Sequence, residues 1–260
     1  MKDSTRQILD TLFARYPLSC CEREVLGAFT LLHGCFTSGG KLLVCGNGGS
    51  AADSEHIVGE LMKGFLLPRP LTAAQSRRFE EALGSESAYL VGHLQQGLPA
   101  ISLVSQSGLV TAYGNDVAPD MAFAQQVFSY ARPGDLLLGI TTSGASVNVL
   151  HALRTAKAVG IPSILLMGGR NRQNAALADV AVCVDESELQ GAGAAPSHLP
   201  RALRRRRGGA LRRLLSGPGK EGPRGRSVPA ALLLGASRYF ASSPMISSKF
   251  SAVTMTALNG

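Results

Sequence analysis

Apolar residues recur in two different rhythms along this chain. Over residues 4–38 they return at helical spacing: Ile8, Leu9, Leu12 and Phe13, then Val25, Leu26, Phe29, Leu32 and Phe36. This predicts two amphipathic helices, the second ended by Gly39-Gly40. Short apolar runs follow at Leu42–Cys45, Ala100–Val104, Leu136–Ile140, Ser163–Met167 and Val180–Val184. Runs without polar alternation fit strands buried on both faces. Helical patterns lie between them: one running to about Lys63, one opened by the SQS at 105–107 and running through Tyr113, then Met121–Tyr130, Asn148–Val159 and a short one at 173–178. Strands alternating with helices predict an α/β fold, a parallel sheet flanked by helices on both faces. Residues 66–98 depart from the alternation. Pro68 and Pro70 break the helix, and two short helical patterns, about 72–84 and 86–96, predict a helical insertion acting as a lid or a contact surface.

From about Gly191 the rhythm is lost. Gly, Ala, Pro and Arg dominate, and Arg204–Arg207 run beside Gly208-Gly209. The expected division is a domain over 1–190 and an atypical tail over 191–260, irregular and largely disordered. Charge divides the same way. The whole chain is +8, but residues 190–260 carry 12 Lys/Arg and the single acid Glu221, so residues 1–189 are mildly acidic at −3. No aromatic residue interleaves the arginines, so nucleic-acid binding is not expected. No apolar run reaches the ~18 residues of a membrane span, and the charged, amphipathic MKDSTRQILDTLF does not read as a signal peptide. Five scattered cysteines give neither a disulfide framework nor a CxxC site, which points to a reducing cytoplasm.

The candidate chemistry is concentrated in KLLVCGNGGSAADSEHIVGE, residues 41–60. A strand is followed by the turn Gly46-Asn47-Gly48-Gly49. Ser50 then opens a helix as its expected N-cap, with Asp53 in the first turn. Strand, glycine turn and helix N-terminus together make an anion site. His56 and Glu60, four apart, are expected on one helix face. Their bland alternative is a surface helix pair. A second strand-to-helix turn, TTSGASVN at 141–148, offers Thr141, Thr142, Ser143 and Ser146 hydroxyls to a phosphate or polyol. Its bland alternative is ordinary N-capping. Two such turns at the strand C-termini of one sheet favour a ligand site. His33, His93 and His151 have no partner in sequence and are read as structural.

GNGGSAADSEHIVGE, then GND at 114–116, then TTSGAS together resemble the sugar isomerase (SIS) domain, and within it the phosphoheptose isomerases. The resemblance covers roughly residues 1–184. It implies that sedoheptulose 7-phosphate is converted to D-glycero-D-manno-heptose 7-phosphate by a homotetramer with active sites between subunits. It implies that Asn47, Gly48, Gly49 and the adjoining Ser50 contact substrate, as do Asn115 and Asp116. Thr141, Thr142, Ser143 and Ser146 would hold the phosphate. Glu60 would be the base that moves a proton between C1 and C2, with His56 beside it, and His56 and Glu60 would be two ligands of a zinc ion. An aldose–ketose shift does need a base next to the carbonyl and a partner for the enediol oxygens. The alternative is a non-catalytic SIS module that binds a sugar phosphate or a replication-initiation protein. The His56/Glu60 pair favours the enzyme.

The family pattern also implies a last helix carrying a Gln and, eight residues on, a His. Here Gln190 and His198 have that spacing, but Gly191, Gly193 and Pro196 intervene and oppose a helix. The codons for residues 192–211, read one nucleotide later, can spell QELHLPIYHALC followed by a Val/Ala-rich stretch and EEE. The tail is therefore read as the product of a frameshift just before Ala192, which would impair the isomerase. Resequencing the coding DNA is expected to show codons that shift to Gln-Glu; an intact frame whose codons cannot do so refutes this reading.

Overall fold

The predicted apolar runs become the five strands of one parallel sheet in the computed structural model, which describes residues 10, 13, 18–64 and 69–184. Most of the first predicted helix lies outside the described residues, although Asp10 and Phe13 are helical. The tail over 191–260, Gln190 and His198 also lie outside them.

In chain order the elements are α1 (Glu22–Thr37), β1 (Leu42–Gly46), α2 (Gly49–Met62), α3 (Ala73–Leu83), α4 (Ser87–His93), β2 (Ala100–Ser102), α5 (Ser107–Asp116), α6 (Ala122–Tyr130), β3 (Leu136–Thr141), α7 (Val147–Val159), β4 (Ser163–Gly168) and β5 (Val180–Val184). The strand order is β2-β1-β3-β4-β5. Every neighbouring pair is parallel, with Leu42 opposite Ala100 and Leu136, and Ile164 opposite Val180.

Side chains alternate across the sheet and feed two cores. Leu42, Val44, Leu136, Leu138, Ile140, Ile164 and Leu166 meet Val25, Phe29 and Leu32 of α1 and Ile57 and Leu61 of α2. From the other face Leu43, Cys45, Leu137, Leu165 and Met167 meet Phe123 and Val127 of α6 and Val149 and Leu153 of α7. Two-sided burial is why β1 and β3 read as unbroken apolar runs. It also pushes the Cys45 thiol up to about 12, so Cys45 is core and not a nucleophile.

The insertion is two short helices. Thr72 opens α3 with a capping box: Thr72 Oγ1 accepts from Gln75 N at 3.2 Å, and Gln75 Oε1 accepts from Thr72 N at 2.8 Å. Its base is closed by Gln96 N donating to Arg69 O at 2.8 Å. Helix α3 buries no residue and α4 only Ser87.

Several boundaries differ from the sequence reading. Gly48, not Ser50, is the N-cap of α2, with no side-chain cap. Its φ of 56° suits glycine, and its carbonyl accepts from Ala51 N and Ala52 N. The chain is already helical at Gly49, which frees Ser50 to be buried. Helix α5 continues through Asp116, beyond the Tyr113 expected, so Asn115 and Asp116 sit in its last turn. Strand β2 stops at Ser102, and the segment Arg172–Leu177 is a 3-10 helix.

The N-terminal edge of the sheet is sealed by Asp135, which is 3% exposed. Its carboxylate accepts from Lys41 N at 2.9 Å, Lys41 Nζ at 2.5 Å and Arg132 N at 2.8 Å, tying the start of β1 to the start of β3. Asp135→Ala strands those backbone donors. It is expected to lower unfolding free energy by about 2–4 kcal/mol in urea titrations, and Asp135→Asn, which keeps an acceptor, by less.

Candidate active site

The chain leaves β1 for β2 on one side and leaves β3 for β4 on the other, so β1/β3 is the point where the strand order reverses. Helix α2 packs on one face of the sheet and α7 on the opposite face. The turns after β1 and β3 therefore start from adjacent strands, Gly46 opposite Ile140, and diverge. A crevice outside the strand C-termini results, where open α/β sheets take their ligands.

Both glycine- and hydroxyl-rich turns of the sequence border it. Asn47, Gly48 and Gly49 are exposed on one side and Ser50 is buried at 5% exposure. On the other, Thr142 and Ser143 are exposed, Ser146 is half-buried and Thr141 is buried. Thr141 Oγ1 and Ser146 Oγ share a hydrogen bond of 2.8 Å, which draws the turn into a loop. Ser143 Oγ accepts from Ala145 N at 3.2 Å. Four successive carbonyls, Thr141 to Gly144, are each taken by a protein donor: Gly144 N, Gly168 N, Asn171 Nδ2 and Asn174 Nδ2. Carbonyl oxygens repel an anion, so committing all four to donors suits a phosphate. Gly144 has φ 67°, and a Cβ there would lie 2.5 Å from Met167 Cε and 2.6 Å from Arg170 O. Only glycine fits.

The two turns are joined across the crevice. Asn47 Nδ2 donates to Asn148 Oδ1 at 2.8 Å, and Asn148 Nδ2 donates to Asn47 Oδ1 at 2.9 Å. Asn148, Asn171 and Asn174 were not among the sequence candidates. They are 101, 28 and 30 residues from their partners Asn47, Ser143 and Gly144, and no local pattern reports such pairings.

His56 and Glu60 are placed differently from each other. His56 is exposed and makes no hydrogen bond among the described residues, whereas Glu60 is 9% exposed. Glu60 lies on the stripe of α2 that also buries Ser50, Asp53 and Ile57. Lys63 Nζ, at the end of α2, donates to Glu60 Oε1 at 3.0 Å, while the buried Oε2 has no hydrogen-bond partner among the described residues. At 1.5 Å of rise per residue, Glu60 stands about 15 Å along α2 from Ser50. The glycine turn and Glu60 thus lie at opposite ends of α2. Asn115 and Asp116 are exposed and bonded to each other at 2.8 Å, with no hydrogen bond to either turn. Among the described residues no group of three or more His, Cys, Asp or Glu is placed to hold a metal. No described helix is long and apolar enough to cross a membrane.

Sheet, crevice and turns define an α/β domain of the SIS type, arranged to hold a phosphorylated ligand. No protein-family model matches the chain. It is 37% identical over 164 residues to a phosphoheptose isomerase of Chlorobaculum parvum, covering 63% of this chain and 67% of that one. It is 36% identical over 179 residues to that of Syntrophotalea carbinolica, covering 68% and 78%. A solved phosphoheptose isomerase from Francisella tularensis aligns with TM-score 0.50 and 28% identity, over 65% of this chain and 77% of that one. The chain belongs to the phosphoheptose isomerase family.

Gly144→Ala is expected to weaken inorganic phosphate binding by at least about tenfold and to lower stability by about 1–3 kcal/mol, checked by calorimetric titration and thermal melts.

Proposed function

We propose that this chain is an aldose–ketose isomerase that interconverts sedoheptulose 7-phosphate and D-glycero-D-manno-heptose 7-phosphate. The observation that carries the reading is the pair of turns at the β1/β3 reversal, joined by Asn47 and Asn148. Thr141, Thr142, Ser143 and Ser146 grip the phosphate with hydroxyls and N–H groups. Asn47, Gly48, Gly49 and Ser50 line the sugar, together with Asn115 and Asp116.

Glu60 is the base. Its Oε1 is anchored by Lys63, and its Oε2 has no partner among the described residues, which suits a carboxylate that is to accept a proton. Oε2 takes the proton from C1 of the ketose. The electron pair forms the C1–C2 double bond and the C2 oxygen is protonated, giving an enediol. Return of the proton to C2, with loss of the O1 proton, gives the aldose. His56, one helical turn away and exposed, would exchange protons with the sugar oxygens.

The distance of about 15 Å along α2 supports a site shared between copies of the chain, with one copy's Glu60 serving another copy's turns. We take the assembly to be a homotetramer. The orphaned Glu60 Oε2 and the exposed His56 suit zinc as two donors, with further donors needed from outside the described residues. Zinc, when bound, supplies a Lewis acid to the carbonyl oxygen. Buried Cys35 and Cys45 are free thiols, which is compatible with a cytoplasmic protein.

Sedoheptulose 7-phosphate turnover, with and without zinc, tests the reading on this chain and on its frame-corrected form. Glu60→Gln is expected to lower kcat at least about 100-fold with little change in KM. No turnover by the frame-corrected protein overturns the reading. Binding without turnover by both forms favours a non-catalytic SIS module.

A further inference from the structure

The TTSGAS turn accounts for a phosphate but not for recognition of the carbon chain attached to it. The side chains spanning the crevice are the amides of Asn47 and Asn148, whose two hydrogen bonds close a ring. The orientation of that ring is fixed from one side. Asn148 Oδ1 also accepts from Val149 N at 3.0 Å, in the first turn of α7. Turning the Asn148 amide over would set its NH2 group against that N–H, donor against donor. Asn148 is thus oriented by its own helix, and Asn47 is oriented by Asn148.

The groups left over follow from the inventory of an amide. Both lone pairs of Asn148 Oδ1 are used, and one of its N–H bonds is not. Asn47 retains one N–H and one lone pair. Asn47 is exposed and Asn148 half-buried, so these groups are open to a ligand in the crevice that the two residues bridge. The ring therefore offers donor, acceptor and donor in a set order between the two turns. A sugar hydroxyl both donates and accepts, so successive hydroxyls of an open-chain sugar match such an array. An amide held in place beforehand also spares the ligand the cost of ordering it.

We propose that Asn148 is a positioning residue for the sugar, which fixes the Asn47 amide and with it presents this array to the hydroxyls of an open-chain phosphorylated polyol. The inference rests on the sugar-phosphate reading above and adds a residue that discriminates sugar from bare phosphate.

The test is calorimetric titration of the full chain with sedoheptulose 7-phosphate and with inorganic phosphate. Asn148→Ala is expected to weaken sugar-phosphate binding about tenfold and to leave inorganic phosphate within about twofold. Asn148→Asp guards against loss of fold, because an acid in the first turn of a helix is stabilising and still accepts from Val149 N. It removes the donor to Asn47 Oδ1 and should show the same selective loss. In the Asn47→Ala background, Asn148→Ala should cost little more, since the ring is already broken. Equal weakening toward both ligands, or no weakening toward the sugar phosphate, overturns the role of Asn148. A wild-type chain that binds inorganic phosphate but gains nothing from the sugar refutes the sugar-phosphate reading itself, and with it the inference. The two failures are thereby distinguished.

Discussion

The site depends on one constraint: β1 and β3 are hydrogen-bonded neighbours whose following helices lie on opposite faces of the sheet. A backbone leaving Gly46 must turn toward α2, and one leaving Thr141 must turn toward α7. Adjacent strand ends whose continuations diverge leave unfilled space between them. Nothing in the apolar core can close it, because both cores lie against the faces of the sheet and not beyond its edge. The space is closed instead by polar groups: the amide ring of Asn47 and Asn148, the hydroxyl bond between Thr141 and Ser146, and the amides of Asn171 and Asn174 on the loop's carbonyls.

The two ends of the sheet solve opposite problems with similar materials. At the N-terminal edge Asp135 gathers two backbone N–H groups and an ammonium, so its charge is spent inside the protein. At the C-terminal edge it is the carbonyls that are gathered, and hydroxyls and exposed amides that remain. A carboxylate placed there would compete with the ligand for the same donors. The sheet is thus sealed where its charge is satisfied and receptive where hydroxyls and amides are left to bind.

Much of this was legible in the sequence. The strands were, because burial on both faces leaves unbroken runs such as LLLGI. The two turns were, because glycines and hydroxyls directly after such runs have few other uses. Boundaries were less so. Ser50 reads as an N-cap by residue type, but the positive φ of Gly48 starts the helix earlier, and φ is not written in the preference of Ser for caps. Asn115 and Asp116 follow a glycine that marks a turn in most contexts. Gly114 instead lies within α5, which runs on through Asp116. The joining asparagines were not legible at all, since each acts on a partner brought close only by the sheet.

Helix α2 is where local and assembled structure separate. Its N-terminus borders the crevice, and its C-terminal turn holds Glu60, about 15 Å away by helical rise. Both ends are chemically prepared: the first by the glycine turn, the second by Lys63, which engages one oxygen of Glu60 and leaves the other without a partner among the described residues. Arg69 reinforces the second end by donating from Nη2 to Leu61 O at 2.7 Å and Lys63 O at 2.5 Å, fixing the backbone from which Lys63 reaches back. A buried carboxylate oxygen with no partner is costly and is kept where something is to be bound or moved. If the site is shared between copies as proposed, the rigidity of α2 lets one helix serve two sites, its start in one and its end in another.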